Sequence, residues 1–216
     1  MLLHRRVILV LQGLLLVGAV LALVHGRWLP ATATLAILLV TSLPRILGQH
    51  FHVRLPVQLE VLAVVFVYAS LFLGEVHGYY ERFWWWDALL HTGSGFLLGI
   101  LGFLLVHVIN EHERIEMHMK PGFVALFAFV FAVGLGALWE IFEFAMDQMF
   151  GTKMQKSGLV DTMWDLIVDT LGALVISLLG WRFLARSEQD WFLQRWIQRF
   201  VAQNPDLFAS RDPSRE

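Results

Sequence analysis

The chain has 216 residues, 57% of them hydrophobic and 16% charged, and its mean hydropathy of +0.63 is too high for an ordinary soluble domain. Its formal net charge of -2 averages surfaces that face different compartments, and no nucleic-acid partner is expected from it. There is no cysteine, which excludes disulfides, thiolate metal sites and cysteine nucleophiles.

Six apolar stretches recur, at 7–25, 29–47, 59–76, 88–109, 122–142 and 163–184. Each has roughly the 18 to 23 residues that a helix needs to cross a hydrocarbon core about 30 Å thick. In lipid every backbone donor and acceptor must be satisfied within the segment, and these runs lack strand alternation. The expectation is therefore an all-α, polytopic membrane helix bundle over 1–186, with an amphipathic surface helix at 187–203 and a disordered tail at 204–216. An even number of spans puts both termini on one side. Alternate loops divide Lys and Arg twelve to four, the larger set including Arg5, Arg6, Arg45, Arg54, Arg114, Lys120 and six Arg from Arg182 onward. The positive-inside rule then predicts a multi-pass protein of the bacterial inner membrane with both termini cytoplasmic.

In chain order, His4-Arg5-Arg6 precedes an apolar run too long for a signal-peptide core and without a small-x-small cleavage site, so it reads as a retained first helix. The first two spans, with Gly13, Gly18 and Pro44, look like scaffold. His50 and His52 fall in the loop between Arg45 and Gln58, where a polar edge explains them better than a metal. Between the third and fourth spans, Tyr79-Tyr80-Glu81-Arg82-Phe83-Trp84-Trp85-Trp86 fits an aromatic belt at lipid headgroups, with Trp84, Trp85 and Trp86 as lipid-surface residues. A sugar- or lipid-binding platform is the sharper alternative. Pro121-Gly122 marks the start of the fifth span. From Asp190 to Val201, apolar pairs four residues apart alternate with Gln-Arg pairs, which predicts a helix lying on the inner surface with Arg195 and Arg199 towards anionic lipids.

Ionisable side chains within a span cost several kcal/mol by insertion scales and tend to face the bundle interior. Here they form three stripes. Asp87, His91 and Ser94 take i, i+4 and i+7 on the fourth span. Glu140, Glu143 and Asp147 take i, i+3 and i+7 at the end of the fifth, and Asp161, Asp165 and Asp169 take i, i+4 and i+8 at the start of the sixth. Because the fifth span runs opposite to the other two, all three stripes lie at the outer end. Gly93, Gly95, Gly99, Gly134, Gly136 and Gly172 would let these helices approach closely. The frame Trp86-Asp87-x-x-x-His91-Thr92 also recurs as Trp164-Asp165-x-x-x-Asp169-Thr170.

Seven carboxylates in one shallow pocket cannot all be ionised and unpaired. Protons could compensate, and Lys153 and Lys156 in the adjoining loop could neutralise part of the charge. One divalent cation would do so more completely, with Asp87, His91, Glu140, Glu143, Asp165 and Asp169 as candidate ligands. Oxygen donors with one imidazole suit Mn²⁺, Fe²⁺, Zn²⁺ or Mg²⁺ and tolerate Ca²⁺. Asp147, Asp161 and Ser94 would form an outer rim, although a lone Asp at a helix end is usually a cap.

The motifs Trp86-Asp87…His91, Trp139-Glu140…Glu143…Asp147 and Asp161-Thr162-Met163-Trp164-Asp165…Asp169…Gly172-Ala173 resemble the YjdF-like bacterial inner-membrane proteins over roughly residues 30–185. That resemblance implies a polytopic membrane protein and no particular activity. More distantly, the order Asp87/His91, then Glu140 or Glu143, then Asp161/Asp165/Asp169/Gly172 is similar to VanZ-like membrane proteins, which implies an outward-facing role at the cell envelope. Asp169 stands where that family tends to carry an amide.

Three functions compete. First is a metal-dependent enzyme acting on a lipid-linked or phosphorylated envelope molecule, with His91 or Glu143 as catalytic base and membrane lipids as surroundings. Second is a cation or proton transporter, for which Glu60 and His107 are the sparse inner polar candidates. Third is a structural or assembly protein held together by its carboxyl network.

Overall fold

The computed structural model describes residues 2–50, 56–111, 119–186 and 192–204, and among these every regular element is a helix. The chain forms two compact units, Met1–Trp86 and Asp87–Glu216.

The first unit contains α1 (Leu2–Val24), α2 (Trp28–His50), α3 (Val57–Val67) with its π-helical continuation Tyr68–Val76, and the single turn α4 (Tyr79–Arg82). Leu15 of α1, Ile37 of α2 and Phe72 of the π-helix form its core. The α2 hydroxyls are satisfied within their own helix: Thr34 Oγ1 donates to the Pro30 carbonyl at 2.7 Å and Thr41 Oγ1 to that of Leu38 at 2.9 Å. The apolar run at 59–76 forms a helix, but its second half is wound more widely than an α-helix. There the His77 amide donates to the Phe72 carbonyl five residues back, at 3.1 Å, as π geometry requires. Phe72 packs against the rings of Tyr68 and His77, at 4.9 and 4.4 Å between centroids. His50, placed in a loop by the sequence reading, is the last residue of α2, and His52 lies outside the described residues.

In the aromatic run Trp84 is 90% exposed and Trp85 is also exposed. Trp86 turns partly inward, its ring edge-on to Tyr79 at 5.0 Å.

The second unit comprises α5 (Trp86–Glu111, whose first residue belongs to the first unit), α6 (Pro121–Phe150), α7 (Leu159–Arg186) and α8 (Phe192–Gln203). Pro121 is the first residue of α6, where a missing N–H costs nothing. Both α6 and α7 extend past the apolar runs at 122–142 and 163–184, because carboxylate side chains that interrupt hydropathy need not interrupt the backbone hydrogen-bond ladder. Gly151, with φ of 66°, ends α6, and Gly158, with φ of 65°, precedes α7. The intervening loop is tied to both helices. Asp147 accepts from Thr152 Oγ1 and from the amides of Met154 and Gln155 at 2.6, 2.8 and 2.9 Å. Asp161 accepts from the Lys156 amide at 2.9 Å, and Gln155 Nε2 donates to Thr162 Oγ1 at 2.6 Å.

Burial in this unit is inverted relative to a soluble protein. Glu140, Glu143, Asp165 and Asp169 are buried, whereas Trp139, Ile141, Phe142, Phe144 and Leu171 on the same helices are exposed. An apolar exterior around a polar interior belongs to helices that face lipid. Among the described residues, five helical stretches are long and apolar enough to cross a membrane: His4–Val24, Val57–Val76, Trp86–Val106, Pro121–Phe150 and Leu159–Arg186. Trp28–Leu43 of α2 is a shorter apolar helix, so the architecture is a multi-pass helical bundle compatible with about six spans.

On α8, Arg195 and Arg199 are exposed while Phe200 is buried, and Asn204 Nδ2 closes the end by donating to the Phe200 carbonyl at 2.6 Å. Residues 205–216, expected to be a disordered tail, lie outside the described residues.

Candidate metal centre

Close helix crossings bring the three polar stripes together. A Cβ on Gly95 of α5 would meet the backbone of Asp169 on α7. One on Gly172 of α7 would meet the backbone carbonyl of Thr92, and one on Gly136 of α6 would stand 2.7 Å from Asp169 Oδ2. Gly99 gives the same close approach to Ile176. Gly93 and Gly134 do not belong to these crossings, since nothing lies within 4 Å of a Cβ at either. Gly102 against Ala128 and Gly180 against Phe103 do, with no polar stripe in the sequence to single out either. They lie far from the polar stripes, where no carboxylate marked them as part of an interface.

His91 is the hub. Its side chain is 11% exposed, and its two ring nitrogens face different carboxylates. Nε2 lies 3.7 Å from Asp87 Oδ1 and 4.0 Å from Asp165 Oδ2. Nδ1 lies 3.3 Å from Asp169 Oδ2 and 3.9 Å from Glu140 Oε1. Asp169 is itself held, since Ser94 Oγ donates to its Oδ1 at 2.6 Å. The Ser94 hydroxyl also lies 2.7 Å from the His91 carbonyl, so its single proton serves one acceptor at a time.

The arrangement has two sides. On the Nε2 side, Asp87, His91 and Asp165 each offer one ligand atom, and these atoms all lie within 4.8 Å of one another. Metal–ligand bonds of about 2.0–2.2 Å leave ligand atoms roughly 3–4 Å apart around one ion, so only a small contraction would complete three-point coordination. On the Nδ1 side, a carboxylate bonded to the other nitrogen is the usual device for holding a ligating histidine in one tautomer and orientation. The recurring Trp-Asp frame has a counterpart here: Asp87 and Asp165, which share its second position, are the two carboxylates that face Nε2.

The remaining predicted residues divide by what they touch. Glu143 is buried and its Oε1 accepts from Trp139 Nε1 at 2.9 Å, within its own helix. Glu140 is 3% exposed, and neither of its oxygens meets hydrogen-bond geometry with a partner among the described residues. A buried carboxylate without a hydrogen bond is costly, and the group that faces it is the His91 imidazole, 3.9 Å away at Nδ1. Asp147 and Asp161 bind the α6–α7 loop and stand apart from the His91 hub. One partner had no sequence signal beyond general charge balance: Lys156 Nζ reaches from that loop to Asp87 Oδ2 at 2.8 Å. Fixing that pair took the loop's particular fold.

Comparison with known proteins agrees with the membrane architecture. A protein of Thermotoga maritima described as uncharacterized is 30% identical over 131 residues, which cover 61% of this chain. The same alignment covers 66% of that relative, so the chain spans just under two thirds of its length. No solved structure matches. The family model described as predicted membrane protein (DUF2238) matches residues 4–186, a range containing all of α1 to α7 except its first two residues and every carboxylate around His91, and the chain belongs to that family.

Proposed function

We propose that this protein is a metal-dependent enzyme of the bacterial inner membrane, with both termini cytoplasmic, acting at the outer leaflet on a lipid-linked or phosphorylated molecule of the cell envelope. The observation that carries the reading is the two-sided environment of His91, with Asp87 and Asp165 at Nε2 and Asp169 at Nδ1. Asp87, His91 and Asp165 would hold one divalent ion, and Asp169, backed by Ser94, keeps the imidazole facing it. When bound, such an ion supplies Lewis-acid polarisation of a phosphoryl oxygen and an acidified water. Both nitrogens of His91 are engaged, so it serves as a ligand and the proton acceptor is Glu143, which keeps Oε2 clear of the Trp139 bond. Glu140 contributes negative charge behind the imidazole.

Support for a site, against a conduit for ions, comes from what surrounds it inside the second unit. Ile100, Phe103, Leu104, Ala128, Ala132 and Ile176 are among its buried residues away from the carboxylates, and among the described residues there Ser177 and Asn204 are the buried uncharged polar ones. The asymmetry of Lys and Arg between alternate loops supports the orientation, and the likeness to YjdF-like and VanZ-like proteins supports the inner membrane and the envelope by analogy.

The test is elemental analysis of detergent-purified protein, wild type beside Asp165→Asn, after loosely bound ions are removed. Near-stoichiometric divalent metal in the wild type, lost in the variant, is expected. No metal in either would refute the reading and leave a carboxyl network for proton handling or helix packing.

A further inference from the structure

Lys156 is placed with more care than a lysine that merely balances charge. Its backbone amide donates to Asp161, and the preceding residues are bound by three bonds to Asp147. A further bond from Gln155 to Thr162 fixes the loop to α7. These interactions hold the α6–α7 loop over the end of the polar stripes and bring Lys156 Nζ to Asp87 Oδ2. The same carboxylate turns its other oxygen, Oδ1, towards His91 Nε2. Asp87 thus links the Lys156 ammonium, on a side chain 36% exposed, to the three-residue ligand group. A lysine beside metal ligands is a point charge suited to phosphate oxygens that the ion leaves uncovered.

The flanks of the loop indicate how such a phosphate arrives. Immediately before it, Met149 and Phe150 are 73% and 67% exposed, and immediately after it, Leu159 and Val160 are 74% and 61% exposed. Trp164, one turn further along α7, is also exposed. The loop that carries Lys156 is therefore flanked in sequence, on both helices, by exposed apolar residues that water does not favour and acyl chains do. A phosphate reaching it in the company of hydrocarbon is the headgroup of a lipid.

We propose that Lys156 binds the phosphate of a lipid phosphomonoester at this site, with Asp161 and Asp147 acting as positioning residues for its loop. The proposal rests on the metal-site reading above. It gives that site a substrate class, phosphorylated amphiphiles, and a binding residue whose sequence context signals only charge balance.

The experiment uses the full chain in phosphatidylcholine nanodiscs with and without phosphatidic acid, loaded with Mn²⁺. Retained Mn²⁺ is measured by elemental analysis, and headgroup binding by paramagnetic relaxation of the phosphatidate ³¹P signal. Wild type is compared with Lys156→Gln, Lys156→Arg and, as a control in the same loop, Lys153→Gln. The expected result is headgroup binding weakened about tenfold in Lys156→Gln, with Mn²⁺ retained, largely restored in Lys156→Arg and unchanged in Lys153→Gln. Equal headgroup binding by wild type and Lys156→Gln, with Mn²⁺ retained by both, overturns the assignment of Lys156 and leaves the metal reading standing. A wild type that retains no Mn²⁺ overturns both. Inorganic phosphate serves as a second probe in phosphatidylcholine discs, and its binding where phosphatidate is ignored overturns the lipid source.

Discussion

Gly136→Ala adds one methyl group, removes no charge and leaves Asp87, His91 and Asp165 untouched, yet it should weaken metal binding at the proposed centre. The new Cβ would stand 2.7 Å from Asp169 Oδ2 and 3.3 Å from its Cγ, whereas ordinary contact begins at 3.4 Å. Relief requires Asp169 to move by about 0.7 Å, since methyl–oxygen repulsion rises steeply inside contact. Asp169 Oδ2 is the atom 3.3 Å from His91 Nδ1, so a shift of that size away from α6 strains or breaks the contact that orients the imidazole. Overpacking of this kind costs about 1–3 kcal/mol. Loss of an orienting carboxylate typically lowers metal affinity by about 10–100-fold. Isothermal titration of metal-stripped protein in detergent, with a thermal melt of the same samples, reads both. Gly134→Ala is the matched control, two residues away on the same helix with nothing within 4 Å of its Cβ. There the melt should be unchanged or slightly higher, by up to about 1 kcal/mol from helix propensity. If Gly136→Ala binds metal as tightly as Gly134→Ala, the Asp169–His91 contact does not position the site.

Two further outcomes follow from the loop and the charge distribution. Asp147→Ala removes the acceptor for three loop bonds, so the Met154 and Gln155 amides should exchange hydrogen at least about tenfold faster while α6 keeps its protection. Unchanged exchange would mean that the loop is held by Asp161 and Thr162 alone. Because the chain has no cysteine, single substitutions report topology cleanly. Lys153→Cys should react with a membrane-impermeant maleimide in intact spheroplasts, whereas Ser210→Cys should react only after the membrane is opened. The reverse pattern would invert the proposed orientation.

The apolar runs made the helical, multi-pass architecture legible before any coordinates, because a bilayer forces backbone hydrogen bonds to close locally and leaves length and hydropathy as sufficient signals. Periodicity likewise put Asp87 with His91, Glu140 with Glu143, and Asp165 with Asp169 on single helix faces, since side chains three or four apart share a face whatever surrounds them. Local rules could not foresee the π-helical segment at Tyr68–Val76, whose Phe72 joins Leu15 and Ile37 in the core of the first unit. Nor could they separate Gly95, Gly136 and Gly172, which seat helix crossings, from Gly93 and Gly134, which do not, because a crossing is a property of two helices. The division of labour around His91 is of the same kind. Composition offered six interchangeable ligands, and only the tertiary structure set Asp87 and Asp165 at one nitrogen and Asp169 and Glu140 at the other, drew Glu143 to Trp139, and brought Lys156 to Asp87. Residue type and spacing determine which groups can meet, whereas the ångström-scale choice of partner is made by helix rotation and close packing at contacts distant in sequence.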